Sequence, residues 1–216
     1  MSLRFIHCRV ECEPKNWLEV SNEIKSLNSV SNLKYDFGLY GIWRSQIGLP
    51  RDVLTIILTV DADVADANVG DQLFASIDKI RQVSVDVLAP TLRPQHPEPP
   101  TRQGNYAFRW FETPSRNYPE FLALCESAWP SFESSFDSQV LGLWRMPEDE
   151  DGQIRSLLLT RRPDLSVWER SKKPKTPEEI ETRKKLSRRY DLCDWTVVYT
   201  TTLLTAIDGD DTTRWA

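Results

Sequence analysis

Gly41-Ile-Trp-Arg44 and Gly142-Leu-Trp-Arg145 stand 101 residues apart, and that spacing decides the fold. Held without a gap, the same offset aligns Glu11 with Glu112, Asn16 with Asn117, Glu19 with Glu120, Ser26 with Ser127 and Asp36 with Asp137. It goes on to match Leu58-Thr59 with Leu159-Thr160 and Asp63 with Asp164, giving eleven identities over residues 5–63. Average amino-acid usage gives roughly three or four by chance over such a span. Residue classes follow the identities: Trp17 faces Tyr118, Val20 faces Phe121, and Ile56-Ile57 faces Leu157-Leu158. One unit is written twice, in tandem.

Each copy reads in the same order. Leu3–Cys12 is β-rich, and after Pro14 the residues Trp17, Val20, Ile24 and Leu27 recur at helical spacing. Tyr118, Phe121, Cys125, Ala128 and Phe132 trace the matching stripe in the second copy. Strands follow at Phe37–Arg44 and Val53–Val60, and at Val140–Met146 and Ile154–Thr160. A second helical region is expected near Val69–Val83. In the second copy it has two pieces, one capped by Asp164 and one opened by Thr176-Pro-Glu-Glu179, a capping box with proline in first helical position. Ser84–Leu92 and Trp195–Thr205 close the copies. The order β-α-β-β-α-β is the ferredoxin-like unit. Its helices cover one sheet face, so the other face must be buried against a partner surface, which the second copy supplies. The expected fold is α+β, two ferredoxin-like repeats forming an intramolecular dimeric α/β barrel. The expected division is 1–93 for the first repeat, 94–104 for a proline-rich linker, 105–207 for the second repeat and 208–216 for a flexible acidic tail.

Composition bounds the function. With 216 residues, 40% hydrophobic and 27% charged, the chain is an ordinary globular protein, and no stretch reaches the roughly 18 apolar residues of a membrane span. A net charge of −5 argues against general nucleic-acid binding. The N-terminus lacks signal-peptide architecture, and Cys8, Cys12, Cys125 and Cys193 read as small apolar residues of a reducing cytoplasm. Residues 169–189 hold nine Lys or Arg against four Glu, which reads as the solvated face of an amphipathic helix. Neither a glycine-rich phosphate loop nor a metal-ligand cluster is present, so no cofactor is expected.

Phe108-Arg-Trp-Phe-Glu112, Tyr118-Pro-Glu-Phe121, Ala128-Trp-Pro130, Gly142-Leu-Trp-Arg145 and Leu158-Leu-Thr-Arg-Arg-Pro163 with Trp168-Glu169 resemble NIPSNAP-like proteins of the dimeric α/β-barrel superfamily. Gly41-Ile-Trp-Arg-Ser-Gln-Ile-Gly48 is similar to the same family's second strand and turn. The resemblance covers nearly the whole chain apart from the linker and tail. It implies the barrel fold and leaves activity open. The superfamily includes cofactor-free monooxygenases, cyclases and haem proteins related to chlorite dismutase, and many NIPSNAP-like members have no assigned reaction.

Three functional readings stand. The first is a protein that binds a small apolar or aromatic molecule, or a protein partner. Trp43, Trp144, Trp110 and Trp129, with Arg9, are its candidate contacts, because aromatic side chains line apolar pockets. The second is a cofactor-independent monooxygenase, cyclase or isomerase. In it His7 or Glu11 moves a proton and Arg44 or Arg145 steadies an oxyanion. The third is a haem protein relying on His7 as axial ligand. Against these stand structural roles: a hydrogen-bonded sheet histidine, tryptophans that fill the core, and arginines in strand-end ion pairs with Glu11 or Glu112. Association of such repeat pairs into a homo-oligomer is compatible with the sequence.

Overall fold

The computed structural model describes residues 3–27, 37–65 and 68–208. In it the first copy comprises β1 (Leu3–Cys12), α1 (Trp17–Leu27), β2 (Phe37–Ile47), β3 (Val53–Asp61), α2 (Asn68–Phe74) and β4 (Ile80–Arg93). The second comprises β5 (Asn105–Pro114), α3 (Tyr118–Phe136), β6 (Gln139–Arg145), β7 (Gln153–Arg162), α4 (Leu165–Ser171), α5 (Pro177–Asp191) and β8 (Trp195–Leu203). The fold is α+β, with eight antiparallel strands and five α-helices among the described residues. The expected acidic tail lies, beyond Asp208, outside them.

Compact units do not follow the copies strand for strand. One unit gathers residues 1–90, 96–103 and 200–216, the other residues 91–95 and 104–199. In the first unit the strand order is β4-β1-β3-β2, with the end of β8 lying on β2 through pairs such as Trp43 with Leu203 and Arg44 with Thr202. In the second unit β5 lies between the start of β8 and β7, and β6 follows β7, with Thr91–Arg93 of β4 beside it. Thr91 Oγ1 donates to the Leu143 carbonyl at 2.6 Å.

Strand alternation sorts the side chains. On β1, Ile6, Cys8, Val10 and Cys12 enter an apolar cluster with Val20 and Ile24 of α1 and with Ile42, Leu54, Ile56 and Leu58. Phe5 and His7 point to the sheet's opposite face. In the second unit, Phe111, Leu143 and Leu158 pack under Phe121, Cys125, Trp129, Phe132 and Phe136 of α3.

One element differs from expectation. The helix near Val69–Val83 is short: α2 ends at Phe74, single turns connect Phe74 to Ile77 and Ile77 to Ile80, and β4 starts at Ile80. Leu73, Ile77 and Ile80 have helical spacing, but from Ile80 the backbone pairs with Cys12, and Val83, Val85 and Val87 pair with Val10, Cys8 and Ile6. Sheet pairing outweighed a three-to-four-residue apolar spacing.

Candidate functional site

A cavity of about 350 Å³ opens in the second unit, between its sheet and its helices. β5 supplies Ala107, Arg109 and Phe111, three successive residues of one strand face, and β7 supplies Leu158, Thr160 and Arg162 beside them. Trp129, Phe132 and Phe136 descend from α3 at helical spacing. Trp168 and Lys172 close one side from α4 and the residue after it, while α5 presents Thr182, Arg183, Leu186 and Arg189 along one stripe.

Caps fix the two short helices. Asp164 accepts from the Ser166 hydroxyl at 2.6 Å and from the Ser166 and Val167 amides at 2.8 and 3.1 Å, which starts α4 and holds its carboxyl below the usual range. Thr176 Oγ1 accepts from the Glu179 amide at 3.1 Å. The Glu179 carboxylate reaches back to the Lys175 and Thr176 amides, completing the capping box read from the sequence.

Charge dominates the polar part of the lining. Arg162 and Arg189 are 9% and 8% exposed, so both guanidiniums are largely out of water. Arg162 donates to Thr160 Oγ1 at 3.1 Å and lies 4.9 Å from the Trp168 ring centroid and 5.4 Å from that of Phe132. Arg189 touches Cys125 Sγ at 3.5 Å and lies 4.9 Å over Phe111. The Nε atoms of both are buried without a hydrogen-bond partner among the described residues. Burial, then the like charges of Arg189 and Arg183, pushes Arg109 down to about 10; burial, then Arg109, does the same to Arg162. Arg109 and Arg162 both remain cations at neutral pH.

The residues singled out from the sequence lie in several places. Trp129 lines the cavity; His7, Arg9, Glu11, Trp43, Arg44, Trp110, Trp144 and Arg145 do not. His7 is 1% exposed, and its Nδ1 sits 3.0 Å from Asp86 Oδ2 on the neighbouring strand. Arg9 and Glu11 are half-buried farther along β1. Trp43 and Trp144 are fully buried. Arg44 stacks at 3.7 Å on Trp17 of α1, and burial lowers it to about 10. Arg145 is exposed at the end of β6, 6.0 Å from the Tyr118 ring, and Glu112 pairs instead with Arg155 at 3.3 Å. Trp110 lies under the Arg155 guanidinium at 5.1 Å. No disulfide joins the four cysteines; burial pushes Cys12 up to about 12 and raises Cys125 and Cys193 too, so these three thiols stay protonated. The sequence does not single out Arg162 and Arg189; for Arg109 the signal is the offset of 101, which puts it opposite Cys8 on the helix-covered sheet face.

His7 belongs to the first unit, where its Nδ1 faces Asp86, and no histidine, cysteine or methionine lines the cavity of the second unit. Among the described residues no group of three or more His, Cys, Asp or Glu gathers as a metal site, and no helix is long and apolar enough to cross a membrane.

No protein-family model and no curated protein matches the sequence. Solved structures do match over nearly the whole chain. A provisionally assigned monooxygenase from Lactobacillus acidophilus NCFM aligns with a TM-score of 0.57 and 10% identity, over 95% of this chain and 98% of its own. An anthrone oxidase-like protein gives 0.60 and 10%, over 94% and 91%. A chlorite dismutase variant from Candidatus Nitrospira defluvii gives 0.59 and 7%, over 93% and 90%. These are dimeric α/β-barrel proteins, and at such identities the likeness shows the fold.

Proposed function

We propose that the chain is a NIPSNAP-like dimeric α/β-barrel protein that binds a small, partly apolar molecule in the cavity of its second unit. The observation that carries the reading is the space itself. Protein cores leave few voids larger than a water molecule, whereas about 350 Å³ is within the range of small-molecule sites. Trp129, Phe132, Phe136 and Leu158 give it apolar walls, and Arg109, Thr160 and Arg162 add a few convergent polar groups.

Two measurements test it. Native mass spectrometry of the purified protein should detect a retained adduct of a few hundred daltons or the uptake of an added one. Ala107→Phe, which fills the cavity from β5, should abolish that binding and keep the fold. Undiminished binding in Ala107→Phe would place the ligand elsewhere and end this reading.

A second reading draws support from the neighbours assigned as a monooxygenase and an anthrone oxidase-like protein. In it the chain is a cofactor-independent enzyme. His7, held in one orientation by Asp86, or Glu11 moves a proton, and Arg44 or Arg145 steadies an oxyanion. Turnover that survives both His7→Ala and Glu11→Gln would remove that assignment.

A further inference from the structure

We propose that the cavity selects an organic anion, its oxyanion head held by Arg109, Arg162 and Arg189 and its apolar body lying along Trp129, Phe132 and Leu158. This rests on the cavity being a ligand site and names the class of ligand.

Burying a guanidinium is costly unless a counter-charge or hydrogen bonds replace water. Here three of them converge on one lining without a carboxylate partner among the described residues. The one acidic lining residue, Glu179, is committed elsewhere: its Oε2 takes the Lys175 amide at 2.7 Å, and its Oε1 faces Arg170 at 3.9 Å. Aromatic rings hold the guanidiniums instead, Trp168 and Phe132 against Arg162 and Phe111 against Arg189. Stacking orients a planar cation and leaves its N–H edge available, and the Nε atoms of Arg162 and Arg189 are buried donors with no acceptor among the described residues. Forked donors of this kind match a carboxylate, and a sulfonate or phosphate shares the chemistry.

The internal repeat supplies a control. At the aligned positions, 101 residues earlier, Ala107, Arg109 and Phe111 correspond to Ile6, Cys8 and Val10, all in an apolar cluster. The sheet-to-helix layer is thus built in the first copy without a charge at this place. Packing alone does not call for Arg109, whereas an anionic ligand does. Arg183 and Lys172, both exposed, extend the positive lining toward solvent and would steer an anion inward.

Two fluorescent probes with the same aromatic body test the claim: 8-anilino-1-naphthalenesulfonate, an anion, and the neutral N-phenyl-1-naphthylamine. The protein should bind the sulfonate tighter by on the order of tenfold to a hundredfold, as charge-assisted hydrogen bonds would give. Arg162→Met and Arg189→Met should bring the two affinities together while raising the ligand-free Tm, because each relieves like-charge repulsion. Competition then separates sources: displacement by 1-naphthoate with none by inorganic phosphate supports an organic carboxylate, and the reverse overturns the apolar-body part. Equal binding of both probes by the wild-type protein overturns the anion claim and leaves the cavity as a ligand site. Failure of both probes to bind removes both. A lower Tm in both Met variants with an unchanged probe preference would make the arginines structural and overturn the proposal. Arg183→Gln, at an exposed position of the lining, gives a version with little effect on folding: weaker sulfonate binding with naphthylamine unchanged is expected, and no change overturns the steering role.

Discussion

A β-carbon added at Gly142 would collide with Trp144 Cη2, and one at Gly41 with Trp43 Cη2. The outer edge of each indole's six-membered ring occupies the space above the glycine two residues before it on the same strand face, which accounts for the recurrence of Gly-x-Trp. Both rings are completely buried. Gly142→Ala should therefore cost about 1–3 kcal/mol through overpacking, and Trp144→Ala about 3–5 kcal/mol through its cavity. Combined, they should cost less than the sum, because the methyl enters space the ring has left. Urea denaturation of the two single variants and the double variant measures this, and strict additivity would show that ring and glycine do not share the space. Tryptophan placement was legible at this scale because a strand's period of two fixes the face. Arginine environments were not. Alternation put Arg44 on the face of Ile42, yet only the fold brings Trp17 beneath it, and Glu112 found Arg155 across the β5–β7 pairing rather than Arg145.

Among the elements, α4 and α5 are defined by their caps more than by their apolar faces, and both caps could be read directly because capping is a local exchange between residues two or three apart. The α2–β4 segment went the other way. Its apolar spacing fits a helix, and the register with β1 that makes it a strand depends on residues some seventy positions away. Since α5 carries Arg183, Leu186 and Arg189 into the cavity wall, loss of its cap should be felt there. Thr176→Ala should destabilise by about 1 kcal/mol and speed amide exchange in the first turn of α5. The α4 cap adds a pH dependence with a definite sign. Hydrogen bonds from Ser166 and Val167 hold the Asp164 carboxyl below its usual range, so its contribution is full above the unfolded carboxylate range. It is lost as pH falls through that lowered value. The stability gap between wild type and Asp164→Ala should thus be widest near neutral pH and close on acidification. A gap independent of pH would show that the carboxylate charge plays no part in the cap.

At the scale of the whole chain, duplication gave two copies of one scaffold, and the copies have diverged in what they place between sheet and helices. Ile6, Cys8 and Val10 pack with Val20 and Ile24 in the first copy; Ala107, Arg109 and Phe111 line open space in the second. The repeat was legible because packing residues persist at a constant offset. The cavity was not, because an absence of atoms has no sequence signature and shows only as a small residue, Ala107, beside a charge on a face that should be apolar. One pair of aligned substitutions tests whether the divergence is physical. Ile6→Phe forces extra volume into a packed cluster and should cost about 1–3 kcal/mol. Ala107→Phe, at the same place in the other copy, adds more volume still but enters open space, so it should be neutral or stabilising. Urea midpoints at unchanged m-value read the difference. Equal losses at both sites would mean that the second copy closes over its cavity as tightly as the first packs its core.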